Sequence, residues 1–369
     1  MENIVLVILG FLVAAVMGHV IIPNILLISF RKRLFDVPDE RKVHTRPVPR
    51  LGGVTFYPTI LFVLCIIMVW RIISGHLSNS LFTMGIAGEM LALVAGLTLL
   101  YIVGIGDDLV GVRYRKKFMV QIASAALFPL AGLYINNFYG LFGIYALPQI
   151  VGVPLTMLLV VFITNAINLI DGIDGLASGI CIVALGVFGL IFACDQLWVF
   201  SLLAFTCVGV LVPFFIYNVF GEAERGRKIF MGDTGSLTLG YILSFLVIQY
   251  CMYRGVKEIP NYSGTINVAL SILLVPCLDV VRVVIGRIQR HKSPFLPDKT
   301  HIHHKFMAMG FGPRKSLVLI QLISLVFIAS TALMVYIFKT NVNIILAFQV
   351  VAWMLLNLWF SKVIRRKNP

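Results

Sequence analysis

Long apolar runs divide the chain, and short segments rich in glycine, proline and charged residues separate them. A run of about 20 apolar residues is long enough to cross the roughly 30 Å hydrocarbon core of a bilayer as an α-helix. Eleven windows reach this length, and they predict spans at 3–29, 54–73, 81–104, 118–135, 149–168, 177–194, 198–218, 237–253, 265–286, 317–338 and 342–361. The pattern predicts an all-α polytopic membrane protein. Its first run is kept as a span, because it lacks the basic start of a signal peptide.

Composition agrees with this class. Of the 369 residues, 59% are hydrophobic and 12% charged, and the mean hydropathy is +0.97, far from the norm of soluble domains. The six cysteines lie within or at the ends of apolar runs without C-x-x-C spacing, so we expect neither a disulfide framework nor a zinc site. Basic loops that face an anionic lipid bilayer explain the net charge of +14. We therefore expect no nucleic-acid partner.

Basic residues are distributed unevenly among the loops. Of the 30 Lys and Arg, 25 lie in the segments 31–53, 105–117, 169–176, 219–236, 287–316 and 362–369. The positive-inside rule places these segments in the cytoplasm, with the N-terminus outside and the C-terminus inside. None of the loops is long enough to fold separately. We therefore predict a single transmembrane domain, 1–369, and if it is catalytic, its active-site loops are expected to be the first five of these segments, on the cytoplasmic side.

Five of the sixteen acidic residues cluster in three glycine-rich patches at the ends of apolar runs: Asp107 and Asp108, Asp171 and Asp174, and Asp233. A carboxylate costs about 2.5–3.5 kcal/mol near the centre of a membrane helix, which makes clustered ones functional candidates. Hard carboxylate oxygens near a basic loop suit Mg²⁺ that handles phosphates. A structural alternative stays open for each patch: a solvated loop start, an Asp-Gly turn, or a helix N-cap at Asp233.

Polar side chains precede the second patch at a regular spacing. Asn165, Asn168, Asp171 and Asp174 stand at i, i+3, i+6 and i+9, which places them on one face of a helix end and its following turn. The amides are candidates to orient the aspartates or to contact a nucleotide. Asn218, at the end of the seventh predicted span, is expected to face the same cavity.

Candidate phosphate-binding groups lie in other basic loops. His301, His303 and His304 belong to the segment PDKTHIHHKF, and with Lys299, Lys305 and Arg287 they are candidates to bind a diphosphate or to transfer protons. The first loop offers Arg50, His44 and Arg46, and Lys116 and Lys117 follow the first aspartate patch. Topological positive charge is the alternative interpretation of these residues.

Four polar residues inside spans are predicted to be structural. Asp279 and Arg282 stand at i, i+3 and are expected to neutralise each other. His19 and Glu89 are predicted to make contacts between helices.

The ordered motifs VPRLGG, GDDLVG, NAINLIDGIDGLASG, FMGDTGSL and HIHH resemble those of the polyprenyl-phosphate N-acetylhexosamine-1-phosphate transferase family. The likeness runs from about residue 31 to about residue 316. It implies transfer of a sugar-1-phosphate from a UDP-sugar to a membrane polyprenyl phosphate, with release of UMP. The resemblance also implies a requirement for Mg²⁺ or Mn²⁺ and an active site at the cytoplasmic face.

Two details place the chain within that family. The sequence His-Ile-His-His is similar to the branch that uses UDP-GlcNAc, because Ile302 interrupts the run of three histidines of the muramoyl-pentapeptide branch. Asp171 and Asp174 are present, whereas eukaryotic dolichol-linked relatives typically lack them. The WecA/TagO-like group, acting on undecaprenyl phosphate in the bacterial cytoplasmic membrane, is the nearest likeness. Whether the enzyme forms a homodimer is an open alternative.

The roles of the aspartates follow as hypotheses. Asp233, helped by Asp171 or Asp174, is the preferred metal ligand, and Asp107 or Asp108 is expected to position or deprotonate the acceptor phosphate. Two-step catalysis through a covalent aspartate, the phospho-MurNAc-pentapeptide transferase reaction and an ion-coupled transporter are the alternatives. Against transport, the acids gather at one face and no internal repeat is evident.

Overall fold

The computed structural model describes residues 2–35, 47–74, 84–252, 264–293 and 300–367. His44, Arg46 and Lys299, named above as candidates, lie outside these ranges. The helices are α1 (Glu2–Lys32), α2 (Phe56–Ile73), α3 (Met84–Val110), α4 (Tyr114–Leu130), α5 (Gln149–Ile170), α6 (Leu176–Cys194), α7 (Trp198–Val219), α8 (Gly232–Cys251), α9 (Thr265–Ile272), α10 (Leu274–Gln289), α11 (Ile302–Ala308), α12 (Pro313–Ala332) and α13 (Val342–Lys367). A 3₁₀ turn, Gly52–Thr55, precedes α2, and a short π-helical turn, Leu333–Ile337, follows α12.

The all-α polytopic class is confirmed. Within the described ranges, nine helices are long and apolar enough to cross a membrane, and a bent pair, α9 and α10, makes a tenth span if it is counted as one. The fourth predicted span coincides with α4, which has only 17 residues. The count of eleven and the orientation across the bilayer stay predictions.

The central element is α8, which is buried along almost its whole length and packs against α3 and α5. Glycines bring these helices close together. A Cβ at Gly104 of α3 would lie 2.5 Å from Cα of Thr234, and a Cβ at Gly240 would lie 2.7 Å from Cα of Thr164 in α5. Such approach leaves no room for a side chain, so the N-terminal end of α8 is held firmly at the end of the bundle where the aspartate patches meet.

A sharp bend separates α9 from α10, whose axes meet at 77°. Pro276 lacks the N–H that would bond to the carbonyl of Ile272 four residues earlier, and its ring crowds that carbonyl. The helix breaks there, at Leu273. The bend lets α10 pack against α5 and α12, and it carries Asp279 to the start of α11.

A hairpin that the sequence pattern did not predict lies at the opposite end of the bundle. Strands β1 (Asn137–Leu141) and β2 (Ile144–Ala146) pair antiparallel between α4 and α5. The N–H of Phe142 donates to Oδ1 of Asn343 at 2.8 Å, which ties the hairpin to the start of α13.

Two polar residues inside spans behave differently. Glu89 of α3 is buried and accepts a hydrogen bond from Nε2 of Gln249 in α8 at 2.8 Å, so its predicted helix–helix contact is confirmed. His19 of α1 lies beside Tyr217 of α7, with ring centroids 6.4 Å apart, yet its side chain is exposed.

Candidate functional site

Backbone hydrogen bonds join the first loop to the segment that leads into α8. Gly52 and Gly53 donate to the carbonyls of Phe230 and Met231 at 2.9 and 2.8 Å, and Phe230 donates to the carbonyl of Pro49 at 2.8 Å. A Cβ at Gly53 would lie 2.1 Å from the nitrogen of Gly235, which explains the glycine in this position. The motifs VPRLGG and FMGDTGSL therefore form one surface, although about 180 residues separate them.

Asp108 caps the first turn of α8. Its Oδ1 accepts the N–H of Asp233 at 2.7 Å, and its Oδ2 accepts the N–H and the hydroxyl of Thr234 at 3.0 and 2.6 Å. The unpaired amides of a helix N-terminus favour an anionic acceptor. The cap that the sequence suggested at Asp233 is thus supplied from α3 by Asp108.

Gly232 makes this cap possible. Its φ is +71°, and a Cβ at this position would lie 2.1 Å from the carbonyl oxygen of Arg50 and 2.5 Å from Oδ2 of Asp108. Only glycine combines this dihedral with such contacts.

A lysine ammonium joins the other two carboxylates of this region. Nζ of Lys117 lies 3.1 Å from Oδ2 of Asp107 and 2.8 Å from Oδ2 of Asp233. Oδ1 of Asp107 also accepts the N–H of Val112 at 2.6 Å. The adjacent acids Asp107 and Asp108 therefore face different tasks: the first pairs with Lys117, whereas the second holds the backbone of α8.

The two asparagines near the end of α5 have different hydrogen-bond partners. Nδ2 of Asn168 donates to Oδ1 of Asp233 at 2.5 Å and to the hydroxyl of Ser236 at 2.8 Å. Asn165, one turn earlier, exchanges hydrogen bonds with the buried Gln121 of α4 at 2.7 and 3.3 Å. Asn168 therefore orients an aspartate as expected. Gln121 was not predicted, since a single glutamine in an apolar run carries no distinctive spacing.

Asp174 is held by a lysine that the sequence analysis also missed. Nζ of Lys228 donates to Oδ2 of Asp174 at 2.5 Å. Close by, Asn218 is buried, accepts the N–H of Gly175 at 2.6 Å and donates to the carbonyl of Ile229 at 2.8 Å. Asn218 thus joins the DGIDG turn to the segment before α8, and it supports the site through the backbone.

Asp171 is open to the cleft, and within the described part of the chain its carboxylate has no hydrogen-bond partner. Nearby protein nevertheless shields part of this carboxylate from water. This partial desolvation and the charge of Asp233 raise the pKa of Asp171 to about 7, while the positive charge of Arg50 opposes the rise. Asp171 is consequently the carboxylate that is most available to a ligand, and it exchanges a proton near neutral pH.

The histidine segment forms α11, and Asp279 holds its start. The fully buried carboxylate of Asp279 lies 2.8 Å from Nδ1 of His301, accepts the N–H of Ile302 at 3.1 Å and pairs with Arg282 at 2.6 Å. Arg282 also donates to the carbonyl of Thr300 at 2.6 Å. The predicted neutralisation of Asp279 by Arg282 is confirmed, and the same carboxylate positions the histidines.

His303 packs directly on the DGIDG turn. A Cβ at Gly172 would lie 2.3 Å from its ring, whose plane is 4° from that of His301. Burial, with the neighbouring His304 and His301, lowers the pKa of His303 to about 3. Its Nδ1 is buried and has no partner among the described residues. His303 is therefore neutral at physiological pH, and the half-buried His304 is more accessible to a ligand.

Two basic side chains that were candidates to bind a diphosphate, those of Lys305 and Arg287, are hydrogen-bonded within the protein or buried. Nζ of Lys305 donates to Oδ1 of Asn357 at 3.1 Å and to the hydroxyl of Ser361 at 3.3 Å, which ties α11 to α13. Burial and the positive charge of Arg282 lower the pKa of Lys305 to about 8. Arg287 is only 5% exposed, and Arg50 is half-buried beside Asp171. Arg50 is thus better placed than Lys305 to meet an anion in the cleft.

The donor set fits a metal ion that shares its ligands with a substrate. In the described part of the chain, no three His, Cys, Asp or Glu side chains form a group that would hold an ion alone. Mg²⁺ commonly binds one or two carboxylates and completes its shell with water and substrate phosphates. The open carboxylate of Asp171 and the nearby Asp233 are hard oxygen donors suited to this mode.

Comparison with known proteins gives a consistent result. The profile of glycosyl transferase family 4 matches residues 90–251. A probable undecaprenyl-phosphate N-acetylglucosaminyl 1-phosphate transferase of Bacillus subtilis (strain 168) is 31% identical over 334 residues, which cover 88% of this chain and 84% of the relative. The undecaprenyl-phosphate alpha-N-acetylglucosaminyl 1-phosphate transferase of Escherichia coli (strain K12) is 29% identical, with coverage of 78% and 73%. The decaprenyl-phosphate N-acetylglucosaminephosphotransferase of Mycolicibacterium smegmatis is 28% identical, with coverage of 84% and 78%.

Proposed function

The chain belongs to glycosyl transferase family 4, and we propose that it transfers GlcNAc-1-phosphate from UDP-GlcNAc to undecaprenyl phosphate. The relatives named above carry this acceptor or the closely similar decaprenyl phosphate in their names. The product is a lipid-linked diphosphate sugar that initiates the synthesis of a cell-envelope polysaccharide.

One observation carries the proposal: carboxylates, a bridging lysine and a histidine helix from distant parts of the sequence converge at one end of the bundle. Asp107 and Asp233 meet at Lys117, and His303 lies against Gly172 of the second aspartate patch. Acids gathered at one end suit phosphate transfer at a membrane surface. A transport pathway would instead require polar groups along the depth of the bundle.

The reaction joins two anions, so the site must first reduce their repulsion. Arg50 and the α11 histidines are the groups proposed to hold the donor diphosphate, and Lys117 offers a positive charge beside Asp107. Asp171 and Asp233 are the residues that would hold Mg²⁺, which supplies charge neutralisation to the phosphates when bound. Asn168 holds Oδ1 of Asp233 in place through a hydrogen bond.

In the transfer step, an oxygen of the acceptor phosphate attacks the β-phosphorus of UDP-GlcNAc. A new phosphorus–oxygen bond forms, and the bond to the bridging oxygen breaks, so that UMP leaves with the electron pair. The acceptor phosphate is already ionised near pH 7, which makes positioning the main task of Asp107 and Lys117.

The positive-inside pattern of the loops supports a site on the cytoplasmic face of a bacterial cytoplasmic membrane. The bacterial origin of the relatives supports the same location. UDP-sugars would reach the cleft from the cytoplasm, and the lipid acceptor would enter from the adjacent leaflet.

The proposal is tested with purified protein, labelled UDP-GlcNAc, undecaprenyl phosphate and Mg²⁺. We expect UMP and a labelled lipid product in equal amounts, loss of both on chelation of the metal, and loss of both in Asp171→Asn. Glu224→Gln, an exposed change, is the matched control. Transfer from the muramoyl-pentapeptide nucleotide in place of UDP-GlcNAc would assign the chain to that other branch. Absence of UMP release with both nucleotides would refute the transferase.

A further inference from the structure

A groove that contains none of the clustered aspartates lies between the C-terminal halves of α1 and α7. Its volume is about 910 Å³, and its wall is largely apolar. The lining residues that matter here are His19, Pro23 and Phe30 of α1, Tyr217 of α7, and Arg225 and Arg227 of the following loop. None of the five clustered aspartates lines the groove.

The groove opens where a tight helix crossing ends. At the crossing, a Cβ at Gly209 would lie 2.9 Å from Cβ of Ala14, and a Cβ at Gly18 would lie 2.8 Å from the ring of Pro213. Small residues allow such close packing of membrane helices. After Gly18 and Pro213, the facing residues of α1 and α7 have larger side chains. The cavity between the two helices begins at His19.

The depth of the groove matches one leaflet of a bilayer. His19 and Phe30 stand eleven residues apart on α1, which corresponds to about 16 Å at 1.5 Å per residue. This length is about half of the roughly 30 Å hydrocarbon core. The length of the groove therefore suits an acyl chain that lies in one leaflet.

The mouth of the groove is positively charged. Arg225 and Arg227 are both exposed. Arg225 pairs with Glu222 at 2.8 Å, at a solvent-exposed position where an ion pair contributes little. Within the described ranges, the guanidinium of Arg227 makes no hydrogen bond or ion pair, and only its backbone N–H is bonded, to the carbonyl of Glu222 at 3.1 Å. Basic pockets between membrane helices favour anionic headgroups.

We propose that this groove binds an anionic glycerophospholipid, with its phosphate at Arg225 and Arg227 and one acyl chain between α1 and α7. The apolar wall, the one-leaflet depth and the basic mouth together match such a lipid. The polyprenyl acceptor is the less suitable occupant, because its phosphate must reach the carboxylate cluster and no residue of that cluster lines the groove.

The mouth of the groove also belongs to 219–236, one of the predicted active-site loops. Arg227 directly precedes Lys228, whose ammonium donates to Asp174. Gly226, with φ +63°, lies on the ring of Phe30. A bound headgroup would therefore order the segment that connects the groove to the DGIDG turn.

The test measures lipid binding by the full chain in detergent, using native mass spectrometry with dioleoylphosphatidylglycerol and dioleoylphosphatidylcholine. The variants are Arg225→Gln with Arg227→Gln, which neutralises the mouth, and Ile216→Trp, which fills the groove. Arg365→Gln with Arg366→Gln, also an exposed pair, is the matched control for loss of positive charge. Thermal unfolding midpoints check that every variant is folded.

We expect the wild type to retain phosphatidylglycerol in preference to phosphatidylcholine. Neutralising the mouth should weaken this binding about 30-fold, because each basic residue contributes about 1 kcal/mol and 1.4 kcal/mol corresponds to tenfold. Ile216→Trp should abolish binding, and the control pair should leave it unchanged. Equal binding by the wild type and the neutralised variant, or an equal loss in the control, would overturn the proposal. So would displacement of phosphatidylglycerol by equimolar undecaprenyl phosphate, which would make the groove the acceptor site.

Discussion

Oδ1 of Asp108 accepts the backbone N–H of Asp233 at 2.7 Å, so the side chain of one aspartate caps the helix that carries the other. The contact joins α3 to α8 through the main chain of α8, and the side chain of Asp233 stays free to face Lys117 and Asn168. Asp108 is accordingly a positioning residue, whose loss disturbs structure and catalysis together.

We expect Asp108→Ala to lower both the turnover number and the unfolding midpoint. The variant loses charge-assisted hydrogen bonds to two amides and a hydroxyl, which corresponds to about 2 kcal/mol of stability. Activity assays and thermal melts of the same preparation measure the two effects, with Glu224→Gln as the control. A loss of activity at an unchanged midpoint would instead assign Asp108 a purely chemical role.

Lys117 is expected to compete with a metal ion for the carboxylate of Asp233, because its ammonium contacts both Asp107 and Asp233. In Lys117→Met, the affinity of the substrate-free protein for Mg²⁺ should rise about fivefold, which corresponds to about 1 kcal/mol. Turnover should nevertheless fall, since the charge beside the acceptor is lost. The metal-dependent rise of the unfolding midpoint reports the affinity. Lys116→Met, an exposed neighbour, serves for comparison, and unchanged Mg²⁺ affinity in Lys117→Met would contradict the competition.

Asp171 should make metal binding depend on pH near neutrality. Its pKa is raised to about 7, so below pH 7 a proton competes with the ion, and above pH 7 the carboxylate is free. We expect Mg²⁺ binding to release up to one proton in this range, so that the Mg²⁺ affinity rises between pH 6 and 8. Asp171→Asn should lose this pH dependence. An unaltered pH profile in Asp171→Asn would place the titrating group elsewhere.

The same group predicts a stability effect with a definite sign. A carboxyl whose pKa is higher in the folded than in the unfolded state destabilises the fold as pH rises from about 4 to about 7, and the penalty is constant above that range. Metal-free Asp171→Asn should therefore melt higher than the wild type at pH 8, with a smaller difference at pH 5. Thermal melts in the presence of a chelator measure this difference.

The ring of His303 packs directly against the backbone of Gly172. A Cβ at this position would lie 2.3 Å from the His303 ring, so Gly172→Ala must displace α11 or its histidine. We expect a loss of turnover of at least about tenfold together with a lower unfolding midpoint, as for other overpacked sites. Gly186→Ala is the matched control, because nothing lies within 4 Å of its Cβ position and alanine favours the helix. Normal turnover in Gly172→Ala would show that the position of His303 is not critical.

Asp279 should couple the bent pair to catalysis. Asp279→Ala leaves the charge of Arg282 without its buried partner, which corresponds to a loss of about 3 kcal/mol or more. Asp279→Asn preserves the packing but weakens the contacts to His301 and Ile302. We expect Asp279→Asn to remain folded and to show a raised KM for the nucleotide. If its KM equals that of the wild type, Asp279 serves stability alone.

The sequence pattern predicted the class of the fold and the meeting of the aspartates at one end of the bundle. Both follow from local signals: apolar length for the helices, and loop charge for the common face. The different contacts of Asp107 and Asp108 were not predictable, because the sequence of two adjacent residues does not show which distant residues each side chain contacts. Gln121 and Lys228 escaped notice for a related reason, since their partners lie 44 and 54 residues away.

The central position of α8 has a consequence for how the enzyme meets different membranes. The helices α1, α12 and α13 are largely exposed, whereas α8 is enclosed by protein along nearly its whole length. A thicker or thinner bilayer tilts or distorts first the helices that touch it. The outer helices would absorb such mismatch, and the turn that carries Asp233 would keep its geometry as the acyl-chain length of the host membrane varies.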